Sequence, residues 1–221
     1  MSFLRIDGPV FRFLETVTNL LLLNLLCLVC CLPVITIGPA LTANYYVALK
    51  LVRKEETSIF RNFFHSFRQN FKQGLLLGVG VMLLAAILLT DLQVLTYLTA
   101  IPEAASKVLI VVIGLFLLIL AMISVYLFAV LAQFENTIKE LIKWSAILVV
   151  RHLPVTILCL VVAALPILCM IFIPALFLQT VLPVMLLIGF AGIAYIHSHF
   201  FVRVFAYYMP KEETDEEESE D

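Results

Sequence analysis

Cys31-Leu32-Pro33-Val34-Ile35-Thr36-Ile37-Gly38-Pro39-Ala40-Leu41-Thr42-Ala43-Asn44 is the stretch around which the chain is organised. It separates an all-apolar run ending near Leu32 from a shorter, more polar helical pattern that begins near Pro39. Two prolines and a glycine, Pro33, Gly38 and Pro39, cannot continue one regular helix. Pro39 lacks an N–H, and its fixed φ suits the first turn of a new helix. Gly38 tolerates the left-handed backbone that often ends an old one. The break predicts two helices meeting at a turn, with further helix pairs laid around them.

Of the 221 residues, 63% are hydrophobic and 14% charged, with a mean hydropathy of +1.09. A soluble domain is closer to half apolar and a quarter charged. A polar exterior cannot be assembled from this inventory, so a lipid bilayer must solvate most of the outside. Several apolar runs of about 20 residues imply membrane-crossing helices. The predicted class is all-α: a polytopic transmembrane helix bundle, one domain over 1–210, followed by a disordered acidic cytoplasmic tail at 211–221. The tail holds eight of the sixteen acids and one of the fourteen bases, so residues 1–210 carry thirteen bases against eight acids, a balance of +5.

Cys27, Cys30, Cys31, Cys159 and Cys169 all fall inside apolar runs. Cys27-Leu28-Val29-Cys30 has redox-motif spacing but lacks the flanking strand such a motif needs, so these read as small packing residues. Arg5 and Arg12 precede the first apolar run, but no small-residue cleavage pattern follows it.

Residues 1–13 suit a short interfacial segment, and the first span runs from Leu14 to Leu32 with Asn19 and Asn24 inside it. An amide there needs a partner on another helix. Pro39–Val52 reads as helical but short. Over 58–73, Phe60, Phe63, Phe64, Phe67 and Phe71 share one helical stripe, with Arg61, His65, Arg68 and Lys72 on the adjacent face. That pattern predicts an amphipathic helix in the membrane surface, rings in the acyl boundary and cations at anionic headgroups; docking onto a partner protein is the alternative. Gly74–Leu95 and Val108–Leu131 are the next spans, joined by a polar turn with Pro102. Residues 133–146 repeat the surface-helix theme with Phe134, Ile138, Leu141 and Ile142, and Trp144 marks the interface. Two more spans follow, Pro154–Ile173 and Ala175 to about Val202, interrupted by Pro166 and Pro183.

Basic residues set the orientation. Arg53, Lys54, Arg61, Arg68 and Lys72 lie in the 53–73 loop and Lys139, Lys143 and Arg151 in the 132–152 loop, against one base near Pro102 and none near Pro174. The first two loops are then cytoplasmic. The basic N-terminal segment also belongs inside, which favours six crossings with Pro39–Val52 as the second; five crossings with an external N-terminus is the alternative.

Little chemistry is signalled. The deep interiors of the spans show no acidic or basic group, and no Walker loop, His-Glu-x-x-His or Gly-x-Ser-x-Gly is present. His197 and His199 are about 200° apart on a helix, cannot share a metal, and read with Arg203 as an interfacial belt. No enzyme activity, metal, cofactor or nucleic-acid partner is expected. The candidate functional break is Pro33, Thr36, Gly38, Pro39, Thr42, Asn44 and Tyr45, whose unwound backbone and helix N-terminus would suit a solute site; a plain external turn is the simpler reading. The second candidate is the interfacial or partner-docking helix: Phe60, Arg61, Phe63, Phe64, Phe67, Arg68, Phe71 and Lys72.

The Leu-rich helix with its Asn, the run Cys31 to Ala43, and Phe63-Phe64-x-x-Phe67-x-x-Asn70-Phe71 together resemble the YesL-like family of bacterial integral membrane proteins (domain of unknown function 624). The similarity spans nearly the whole chain in length and order, with its specific motifs in the first 75 residues. The acidic tail and Asn44 depart from the pattern. Members of that family are typically encoded beside carbohydrate ABC importers and glycoside-degrading enzymes. The six-crossing count of basic residues places both termini in the cytoplasm, and the resemblance implies a bacterial plasma-membrane protein with an accessory or assembly role in sugar uptake through contact with an importer permease or ATPase. An autonomous sugar transporter and a regulatory membrane protein, its tail binding a basic partner, are the alternatives.

Overall fold

The computed structural model describes residues 9–55, 58–97, 102–134 and 136–208, and every regular element among them is helical. In chain order these are α1 (Pro9–Cys31), a 3-10 turn (Val34–Thr36), α2 (Ile37–Val52), α3 (Ile59–Gln69), α4 (Phe71–Tyr97), α5 (Glu103–Gln133), α6 (Ile138–Arg151), α7 (Leu153–Phe172) and α8 (Pro174–Ala206). Two stretches of α8, Phe177–Val181 and Met185–Gly189, widen into π-helix on either side of Pro183. The acidic tail and residues 1–8 of the N-terminal segment lie outside the described residues.

Five helices, α1, α4, α5, α7 and α8, are long and apolar enough to cross a membrane. Helix α2 is different. Its 16 residues extend about 24 Å at 1.5 Å each, short of a bilayer core of about 30 Å. At its start, Gly38 rests on Gly74 and Gly78, in the first turns of α4. At its end, Arg53 Nη2 donates to Gln133 Oε1, the last residue of α5, at 2.8 Å. Helices α4 and α5 pack side by side, and the beginning of one meets the loop after the other through Gln73 Nε2 donating to Asn136 O at 3.1 Å. Both ends of α2 thus lie against the same end of the α4–α5 pair. The helices long and apolar enough to cross thus number five among the described residues, while Pro39–Val52, the sixth crossing of the favoured reading, is shorter and packs inside the bundle.

Burial follows the same division. Every residue of α5 from Val125 to Ala132 is buried, whereas Val108, Val111 and Phe116, nearer its start, are exposed. In α8, Ala191, Ala194, Phe201 and Phe205 are buried, and Leu178, Leu186 and Leu187 are not. The apolar outer halves are left to lipid, and the core is gathered at the end that contains α2. That helix packs against α1, α3, α4, α5 and α8, with Ala40, Ala43, Val47 and Ala48 fully buried. Small side chains there let five neighbours approach one axis.

The surface-helix expectations need one adjustment each. The stripe on α3 faces inward: Ile59 and Phe63 are buried against Ala40, Ala43 and Val47 of α2 and Leu20, Leu23 and Cys27 of α1. The alanine face of α2 offers a furrow that a phenylalanine fills, so Phe63 serves protein packing rather than the acyl boundary. Helix α6 begins later than expected, at Ile138, and buries Leu141, Ser145, Leu148 and Val149 while Ile142 faces out.

Candidate functional site

Thr36 ties the break together: its hydroxyl lies 2.6 Å from Cys30 O and 2.7 Å from Pro33 O, closing the 3-10 turn onto the end of α1. Pro39 occupies the first turn of α2, as its missing N–H predicts. Gly38 has no left-handed backbone, so its role is space and not conformational freedom. A Cβ on Gly38 would strike Gly74 O, one on Gly74 would lie 3.0 Å from Pro39 Cα, and one on Gly78 would lie 2.7 Å from Gly38 Cα. The N-terminus of α2 is consequently covered by the backbone of α4. Gly74-x-x-x-Gly78 is the small-residue spacing that lets helix backbones touch in membranes; it stood in the sequence and could have located this crossing.

Beyond the crossing, two amides fasten α1 and α2 to the widened part of α8. Asn24 Nδ2 donates to Met185 O at 3.2 Å and to Leu186 O at 2.9 Å, and its Oδ1 accepts from Ala191 N at 3.0 Å. Asn44 Nδ2 donates to Phe190 O at 3.1 Å. A π turn shifts the helical pairing by one residue and leaves backbone groups in need of partners. Asn24, completely buried, supplies three of them, in line with the helix-to-helix role its amide implies. Asn44 Oδ1 is buried with no partner, as are Ser145 Oγ and Ser198 Oγ.

Two turns further along α8, Tyr45 OH and His197 Nδ1 are 2.9 Å apart, and His197 Nε2 is 3.0 Å from Cys159 O. A carbonyl only accepts, so Nε2 carries the proton and, in the neutral ring, Nδ1 accepts from the Tyr45 hydroxyl. This line joins α2, α8 and α7. His197 is therefore not part of an interfacial belt: it is 1% exposed, while His199 and Arg203 on the same helix are exposed. Nearness to one another on one helix made all three read as a belt, and only the partners Tyr45 and Cys159 distinguish His197.

Of the break residues, the structure brings Asn44 and Tyr45 into this buried polar line, puts Thr42 inside α2 with its hydroxyl donating to Gly38 O at 2.9 Å, and leaves Pro33 exposed at the turn. The set on α3 and the first turn of α4 divides cleanly. Phe63 is buried, Phe64, Phe67 and Phe71 are half-buried, and Phe60, Arg61, His65, Arg68 and Lys72 are exposed. Phe60, Phe64, Phe67 and Phe71 form a chain of ring contacts beside Phe63, which holds the cation row rigidly outward. Among the described residues, no group of three His, Cys, Asp or Glu is placed to hold a metal ion.

These features define an all-α polytopic membrane protein whose small-residue crossing and buried amides lock a short internal helix into a bundle. Residues 20–92, from the second half of α1 to the outer part of α4, match the family described as "Protein of unknown function, DUF624". The matched region contains Asn24, Gly38, Asn44, Tyr45, Phe63, Gly74 and Gly78. No curated protein and no solved structure matches the chain.

Proposed function

We infer that the protein is a non-enzymatic accessory or assembly factor of a carbohydrate ABC import system in a bacterial plasma membrane, contacting an importer permease or ATPase through α3. The observation that carries this reading is the exposed row Arg61, His65, Arg68 and Lys72, backed by a rigid aromatic layer. A helix whose apolar side is already occupied by α1 and α2 has its polar face available for a partner. The sugar-import context rests on what the family resemblance implies about neighbouring genes. By the excess of Lys and Arg in the 53–73 and 132–152 loops, this face is cytoplasmic, where an importer's ATPase also lies. Purification from the native host in mild detergent, followed by mass spectrometry, tests it. Near-stoichiometric recovery of a sugar-importer permease, lost in the Arg61→Glu, Arg68→Glu double variant, is the expected result; recovery of the protein alone overturns it.

A second reading, an autonomous small-solute transporter, is favoured by one observation: Asn44 Oδ1 is buried beside the break without a partner. Sugar flux into proteoliposomes that disappears in Asn44→Ala would establish it. Absence of flux for every mono- and oligosaccharide offered would remove it.

A further inference from the structure

We propose that the cation row running along α3 and onto the first turn of α4 (Arg61, His65, Arg68 and Lys72) is the docking surface for the chain's own acidic C-terminal segment, 211–221. A continuous surface leads from Tyr208, the last described residue, to that row. Helix α8 delivers the chain to Tyr208, which lines a cavity of about 230 Å³ together with Asn136 and Trp144. Asn136 also lines the adjoining groove of about 1100 Å³, whose opposite wall is Arg68 and Lys72. His65 and Arg61 continue that wall one and two turns back along α3.

Length and charge both fit. Thirteen residues follow Tyr208, an extended reach of about 43 Å at roughly 3.3 Å each. Glu212, four residues on, comes within about 13 Å of Tyr208, and the distance from Arg68 to Arg61 is about 10 Å along the helix. Eight carboxylates between Glu212 and Asp221 face a row of three permanent cations and a histidine. Among the described residues, the ion pairs are Lys50–Glu55, Arg53–Glu55 and Lys107–Glu103, and none of them engages Arg61, Arg68 or Lys72. The one acid in the groove, Glu140, is held by the N–H and hydroxyl of Thr137 at 3.1 and 2.9 Å, at the start of its own helix. A short tether raises the tail's effective concentration to the millimolar range, so weak, salt-screened attraction is enough to keep the face covered. This contact lies within one chain and does not depend on which protein α3 receives.

The test is zero-length carbodiimide crosslinking of the full chain in nanodiscs of neutral phosphatidylcholine, read by mass spectrometry of peptides. The expected product joins Lys72 to tail carboxylates of the same chain. It falls on the order of tenfold when salt shrinks the Debye length from about 30 Å at 0.01 M to about 3 Å at 1 M, and it falls likewise in the Arg61→Glu, Arg68→Glu variant. Crosslinks only between isotopically distinguished copies would assign the face to a second molecule. Retention of anionic lipid on α3 with no Lys72–tail product would assign it to headgroups. Either result, or a yield indifferent to salt, overturns the proposal.

Discussion

Gly38 of α2 and Gly74 of α4 are in backbone contact: any Cβ at Gly38 would occupy the position of the Gly74 carbonyl oxygen. Neither neighbour is a flexible side chain that could move aside. Gly38→Ala is therefore expected to destabilise the protein by about 2–3 kcal/mol, the usual cost of forced overpacking. Gly80→Ala is the control. It lies in the same helix as Gly74 with nothing within 4 Å of its Cβ position, so alanine should be neutral or stabilising by up to about 1 kcal/mol. Unfolding in detergent would compare the two, and equal effects would refute the crossing.

Asn24 bridges three backbone groups of α8, and its replacement leaves all three without their partner. Interhelical hydrogen bonds in membranes contribute roughly 0.6 kcal/mol each, which puts the cost of Asn24→Leu at about 2 kcal/mol. Asn19 sits five residues earlier, half-buried and, among the described residues, without a side-chain hydrogen bond. Asn19→Ala should stay within about 0.5 kcal/mol of the parent. The same unfolding assay would separate the two amides.

The Tyr45–His197–Cys159 line fixes a tautomer. Nitrogen NMR of histidine-labelled protein should show His197 protonated at Nε2, and Tyr45→Phe should shift its Nδ1 resonance while costing about 1 kcal/mol. A dominant Nδ1-protonated ring would contradict the bond to the Cys159 carbonyl.

Glu140 carries a pH dependence. The backbone N–H and then the hydroxyl of Thr137 hold its carboxyl below the usual carboxylate range. A depressed acid stabilises the folded state above its unfolded value, and that contribution is lost as pH falls through the folded one. Amide protection in the first turn of α6 should decline on acidification in the parent and stay flat in Glu140→Gln, as followed by hydrogen exchange.

Much of the architecture could be read before the structure. The apolar runs, the break at Pro33–Pro39 and the amphipathic period of α3 depend on local pattern, and local pattern is what a sequence displays. The errors concern what lies against what. Phe63 reads the same whether it meets an acyl chain or Ala43. His197 reads as a terminal residue until Tyr45 is placed beside it. The length of α2 left its crossing open, and its contacts through Gly38 and Arg53 are with residues distant in the chain. The π turns of α8 had Pro183 as a local hint, but their partners are more than 140 residues away.

That separation has a consequence for synthesis. Asn24 and Asn44 leave the ribosome early, whereas Met185, Leu186, Phe190 and Ala191 are made near the end. Through most of translation the two amides wait in the bilayer without the groups that satisfy them. A chain interrupted before α8 would keep them exposed, a visible mark for proteases that survey membrane proteins. The last helix does more than complete the bundle: its arrival supplies the backbone groups that Asn24 and Asn44 bond.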